Sequence, residues 1–207
     1  MTAWVRATSD DLCLYFANTR YWRGRAEPTE TLNRAEDLLL WVAANGGYDA
    51  ETAARMKEKS PPRGADKWLQ QAVELREAMF RVFAHMAASS PPAPEDLNEL
   101  NRELRAAPPR NLVADSIGGA AWQIRTPTLQ LADLLAPVLW STADLLVGNA
   151  AQRVRQCANP ECQWLFIDRS KGGTRRWCDM GACGNRAKAS RHYQRKKEAL
   201  ATSVAKK

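Results

Sequence analysis

The sequence predicts an α+β fold that is predominantly helical, with a helical N-terminal domain carrying a small β-hairpin and a compact module at the C-terminal end. Three observations carry this. Apolar residues recur at spacings of three and four through most of the chain before Gly148, the pattern of helices with one buried face. That period breaks around Gly118-Gly119, where two short β-prone runs flank a turn. Four of the five cysteines fall near the C-terminus as C-x4-C-x15-C-x4-C, at Cys157, Cys162, Cys178 and Cys183.

The elements follow in order. Asp10 or Asp11 opens a first helix through Leu12, Leu14, Tyr15 and Phe16. Asn33 with Glu36 three residues on resembles a capping-box start for AEDLLLWVAA, which Asn45-Gly46-Gly47 ends. Asp49 caps a short helix to Lys59, and Ser60-Pro61-Pro62-Arg63-Gly64 breaks the chain. A long helix runs from Asp66 to Ala88, its stripe of Trp68, Ala72, Leu75, Met79, Val82, Phe83 and Met86 reading as core. His85 on its flank reads as a structural or surface residue. Another helix spans Glu95 to Ala106. Asn111–Asp115 and Ala121–Arg125 form the hairpin. Helical pattern resumes at Thr128, and Pro137 kinks or divides it. Cys13, alone in LCLYFA, reads as a small buried hydrophobe.

The 207 residues are 45% hydrophobic and 26% charged, as expected of a globular chain of one ordinary domain plus a small module. The domains are expected at 1–150 and 151–200, with 201–207 as a tail. No apolar run of about 18 residues occurs, so no membrane-spanning helix is expected. The opening MTAWVRATSDDLCLYF lacks an apolar signal core, which leads to a cytoplasmic expectation. The net charge of +7 is uneven. Residues 150–207 carry 14 Lys/Arg against 4 Asp/Glu, a net of +10, and the rest of the chain is left at −3. A near-neutral body with a strongly basic end points to a polyanionic partner at that end.

Paired cysteine spacing in a reducing compartment points to metal rather than disulfides, and four thiolates suit a closed tetrahedral zinc site. Free or redox-active thiols are the competing reading. Cys157-Ala158-Asn159-Pro160-Glu161-Cys162 reads as a knuckle. Trp164–Asp168 and Thr174–Trp177 read as a hairpin about Lys171-Gly172-Gly173. Asp179 reads as the cap of a helix bearing Cys183 and continuing through Ala187, Ala189, Tyr193 and Leu200. Knuckle, hairpin and helix in that order describe a treble-clef-like zinc finger. So small a module has too little core to fold well alone, and zinc contributes on the order of 10 kcal/mol in such modules. The cations arrayed on it are Arg153, Arg155, Arg169, Lys171, Arg175, Arg176, Arg186, Lys188, Arg191, Arg195, Lys196 and Lys197. All but the first two are the candidate nucleic-acid contacts.

Cys183-Gly184-Asn185-Arg186 is the motif that names the CGNR zinc finger, and the stretch from Arg155-Gln156-Cys157 through Trp177-Cys178 to Tyr193 resembles that finger throughout. The N-terminal part is similar to the ABATE domain, on LCLYFANT (Leu12 to Thr19), LLLWVAANG and the segment around Trp122. Tyr15 stands where that family's pattern carries an acidic residue. The family is regarded as one of stress-induced transcriptional regulators of bacteria. The resemblance implies zinc at the four cysteines, DNA binding by the finger, and a sensing or regulatory N-terminal domain.

The leading expectation is therefore a transcriptional regulator that binds double-stranded DNA through the finger and basic helix, while the helical body senses a signal or dimerises. RNA or ribosome binding is the alternative, and a protein-interaction finger on a ligand-binding body is a third. The reading leaves room for a homodimer and an unidentified small-molecule effector, and includes no membrane partner. No enzyme is expected. His85 and His192 lie outside any catalytic constellation, and Asp10-Asp11, Glu36-Asp37 and Glu95-Asp96 suit helix N-termini rather than acid/base dyads. In the body, Asn18, Thr19 and Arg20, with Trp22 and Arg23 beside them, form the candidate ligand-contacting cluster.

Overall fold

Residues 2–5, 11–115, 118–125, 127–189, 193 and 195 are described by the computed structural model. The chain forms β1 (Thr2–Val5), α1 (Leu12–Ala17), β2 (Arg20–Tyr21), β3 (Thr29–Glu30), α2 (Ala35–Asn45), α3 (Ala50–Glu58), α4 (Ala65–Ala87), α5 (Pro94–Ala106), β4 (Asn111–Ala114), β5 (Ala120–Arg125), α6 (Leu131–Leu134) and α7 (Ala136–Val147). A short 3-10 turn (Asn149–Arg153) leads to β6 (Val154–Gln156) and β7 (Leu165–Ile167). A widened turn at Met180–Gly184 then opens a helix at 185–189.

The long helix is the axis of the body. Trp68, Ala72, Leu75, Met79, Val82 and Phe83 are all buried, as their spacing predicts. Leu12, Leu14 and Phe16 of α1, Leu38 and Val42 of α2, and Leu135 and Leu139 beside them close one core around it. Asp49 caps α3, its carboxylate accepting from Thr52 N at 2.9 Å. Pro137 sits at the second residue of α7, where its missing N–H costs nothing, and so divides the helical run into α6 and α7. Cys13 is buried beside Ser141, and burial pushes its thiol up to about 12.

Four features differ from expectation. The predicted hairpin is β4–β5, but a third strand joins it. β1 pairs antiparallel with β5, Thr2 opposite Arg125, giving the order β1-β5-β4. The α2 cap uses Asp37 rather than Glu36, its carboxylate accepting from the N–H groups of Asn33 (3.0 Å) and Arg34 (2.8 Å). Arg76, on the apolar face of α4, is fully buried. It donates to both carboxylate oxygens of Glu30 at 2.6 and 2.7 Å and to Glu77 at 2.9 Å. Finally, the strand partner of Leu165–Ile167 is the preceding segment, Gln156 opposite Leu165, and not Thr174–Trp177. The backbone of the latter is engaged otherwise: Arg175 N–H donates to the Asp168 carboxylate at 2.8 Å and Ala158 N–H to Arg176 O at 2.9 Å. The finger's hairpin therefore encloses the knuckle instead of following it.

Val154, Leu165 and Ile167 belong to the main core, packed against α1 and α4. Each such side chain contributes about 1.5–3 kcal/mol when fully buried.

Candidate metal centre and nucleic-acid interface

The knuckle brings the four cysteines together. Cys157 N–H donates to Trp164 O at 2.8 Å and Cys162 N–H to Asn159 O at 2.9 Å, folding the loop tightly enough to face two sulfurs one way. Asp179 supplies the second pair by capping the turn that carries Cys183, accepting from Ala182 N at 2.6 Å. All four Sγ atoms lie within 4.8 Å of one another. Cys162–Cys178 and Cys178–Cys183 are 3.7 and 3.8 Å apart. Tetrahedral zinc with Zn–S bonds of about 2.3 Å needs sulfurs about 3.8 Å apart, so the donor set and its spacing fit the ion. Hydrogen bonding between Cys162 and Cys178 draws the Cys162 thiol down and holds Cys178 up, while burial raises Cys183. Cys157, Cys162, Cys178 and Cys183 form the zinc site. A zinc ion held there would close the fold, and Asn159 Nδ2, 3.6 Å from Cys183 Sγ, would steady one ligand. Phe166, Trp22, Trp164 and Trp177 pack around the sulfurs.

Gly184 of the CGNR motif is a point of close packing. A Cβ there would meet Met180 Sδ at 2.8 Å and Trp177 Cδ1 at 3.4 Å. Asp168, buried after β7, accepts from Ser170 N and Arg175 N and so holds the Lys171-Gly172-Gly173 turn. A bond from the Ser170 hydroxyl first, and then these two N–H bonds, place its carboxyl below the ordinary range against the opposing effect of burial.

The seam between finger and body is made by the residues expected to contact a ligand. Asn18 is 2% exposed. Its carboxamide donates to Leu165 O at 2.8 Å and accepts from Leu165 N at 3.0 Å, doing for β7 what a neighbouring strand would do. Thr19 Oγ1 donates to Phe16 O at 2.8 Å and lies 3.2 Å from Arg76. Arg20 is half-buried, 4.0 Å from Glu77. Asn18 and Thr19 are thus interior joints that hydrogen-bond within the chain, and Asn18 also lines a cavity with Tyr15 and Trp164. Arg23 is tied to Glu77 at 2.6 Å, with its guanidinium 3.8 Å from the Phe80 ring centroid.

Next to them the chain touches the knuckle itself. Trp22 takes a left-handed backbone (φ 53°) and reaches the cluster around the sulfurs. Gly24 N–H donates to Glu161 O at 3.1 Å. A Cβ at Gly24 would lie 1.8 Å from Pro160 O, so only glycine allows this approach. Arg25 pairs with Glu161 at 3.0 Å, and both Arg25 and Arg186 rest on the Trp22 ring at 4.0 and 4.7 Å. A tryptophan and a glycine inside the cationic run Tyr-Trp-Arg-Gly-Arg were the available signal for this contact.

The expected nucleic-acid contacts separate by what they already hold. Arg175 donates to Trp177 O at 2.8 Å and to Cys178 O, and stacks on Phe166, so it braces the second cysteine pair. Arg169 pairs with Asp11 at 3.7 Å. Arg153 and Arg155 donate to backbone carbonyls. Lys171, Arg176, Arg186, Lys188 and Arg195 are exposed. Arg176 and Arg186 have no acidic partner among the described residues. Each instead lies on an indole, Trp177 (5.5 Å) and Trp22 (4.7 Å) respectively. Arg191, Lys196 and Lys197 lie outside the described residues. Tyr193 is exposed, and His85 is an exposed residue bonded to Ser90 at 2.9 Å.

Comparison with known families agrees with this anatomy. Residues 10–149 match the ABATE family model, described as "Putative stress-induced transcription regulator". Residues 153–196 match the CGNR zinc finger model. No curated protein shows detectable similarity to the chain. Among the described residues, no helix is long and apolar enough to cross a membrane.

Proposed function

Since the chain belongs to the ABATE family and ends in a CGNR zinc finger, we propose that it is a transcriptional regulator that grips double-stranded DNA with the outer face of that finger. It acts by binding and not by catalysis. The observation that carries the reading is the set of exposed cations on a metal-fixed frame, above all Arg176 and Arg186, each steadied on an indole with no carboxylate neutralising it among the described residues. A guanidinium held by its face keeps its in-plane donors available for phosphate. The zinc fixes the spacing of these groups and takes no part in chemistry. The helical body enters through Trp22 and Gly24, so a signal received or an association made there reaches Arg186 through one contact.

Fluorescence anisotropy of labelled duplex DNA with the zinc-loaded chain tests this. About six phosphate contacts give a slope of log K against log[salt] near −5. Arg176→Gln or Arg186→Gln reduces that slope by about 1. Absence of salt-dependent binding sinks the reading.

A further inference from the structure

Between the knuckle and the start of the basic helix lies a groove of about 400 Å³, lined by Ala158, Pro160, Trp177 and Ala187, with Arg176 and Arg186 on its walls. Its size is within the ~300–1,000 Å³ of small-molecule sites. Three features define what it accepts. Its lining is more apolar than polar and includes an indole, which suits a planar ring and does nothing for a bare phosphate. The guanidinium groups of Arg176 and Arg186 have no hydrogen-bonded or acidic partner among the described residues, so both can serve an anion. Glu161, the one acid lining the groove among the described residues, is already occupied by Arg25 at 3.0 Å. An aromatic, largely apolar lining with a cationic wall is the complement of a nucleotide.

We propose that this groove seats one unstacked nucleotide of the bound DNA, its base against Trp177 and its phosphodiester within reach of Arg176 and Arg186. The proposal rests on the DNA-binding reading above and specifies it. In perfect duplex the base must first leave the stack, which costs a few kcal/mol. A site already offering an unpaired nucleotide avoids that cost, and base–aromatic stacking then favours it by roughly tenfold or more. The finger therefore prefers DNA with a bulge, fork or melted step to closed duplex of the same sequence.

The test uses the full zinc-loaded chain in anisotropy titrations at one salt concentration. Three ligands are compared: a duplex, the same duplex with a single bulged nucleotide, and the same with an abasic bulge, which keeps the distortion but removes the base. The bulged duplex is expected to bind about tenfold more tightly than either of the others. Ala187→Phe, which fills the groove without changing charge, is expected to abolish the preference while leaving zinc content and closed-duplex affinity unchanged. Trp177→Leu, with zinc content measured alongside, is expected to abolish the preference too, and to weaken closed-duplex binding as well because Arg176 loses the ring it rests on. Equal binding of all three ligands, or a preference that survives both substitutions, overturns the groove and leaves DNA binding standing. Failure of every ligand to bind overturns both.

Discussion

Gly24→Ala is the sharpest test of how finger and body are joined. The added Cβ would lie 1.8 Å from Pro160 O, an atom of the backbone between two zinc ligands. An ordinary C···O contact is about 3.3 Å, so loop and knuckle must separate by about 1.5 Å. That breaks the Gly24 N–H to Glu161 O bond, worth about 0.5–1.5 kcal/mol. It also loosens the exposed Arg25–Glu161 pair, worth at most about 1 kcal/mol, and the packing of Trp22 against the cysteine cluster. The expected loss is about 2–3 kcal/mol, a fall of roughly 5–10 °C in melting temperature for a chain of this size. Gly172→Ala is the control, because its Cβ meets nothing closer than 3.7 Å. Thermal melts followed by circular dichroism, with metal analysis of the same samples, give the answer. Zinc is retained in both variants, since neither touches a sulfur. Melting of Gly24→Ala within 1 °C of Gly172→Ala would refute the close approach.

Other outcomes follow from the same geometry. Cys178→Ala removes one of four ligands, and metal analysis of the purified variant should find zinc lost from about one per chain. Chelation of the native protein should destabilise the helical body as well as the finger, because β6 and β7 fill the main core; hydrogen exchange at α1 and α4 would report it. Arg76→Met leaves Glu30 and Glu77 without their buried partner and should cost about 2–4 kcal/mol in urea unfolding. This is below the full buried-pair penalty because both carboxylates keep some solvent, and Arg76→Lys should not restore the two-pronged bond to Glu30. Stability should hold at neutral pH and fall in acid. Burial would raise Glu30 and Glu77, but bonds from Arg76 and Arg23 override it and hold both carboxyls below their ordinary range. Their stabilisation is complete above the unfolded values near 4–5 and is lost as pH falls through the lower folded values, which melts across pH 3–7 would show.

What the sequence disclosed was what neighbours along the chain decide. The α4 stripe, the Asp49 cap, the division at Pro137 and the cysteine cluster all rest on residues a few positions apart. β1 was silent because Thr-Ala-Trp-Val becomes a strand only when β5 arrives to pair with it. Arg76 shares the face of Ala72 and Met79, yet its burial depends on Glu30 coming from a distant segment. Asn18 looked like a polar helix exit because its partner, Leu165, is 147 residues away. Thr174–Trp177 has the composition of a strand, but Asp168 takes the N–H of Arg175 and directs that backbone elsewhere.

The bond between Asn18 and Leu165 also bears on how the protein is made. A ribosome working at about 5–20 residues per second delivers Leu165 roughly 7–30 s after Asn18. Until then α1 and α4 have been synthesised without the residues that cover one side of them, Val154, Leu165 and Ile167. The body is completed by the segment that also binds the ion. Zinc bound by the folded state alone would, by mass action, raise the share of newly made helical body that reaches the native state.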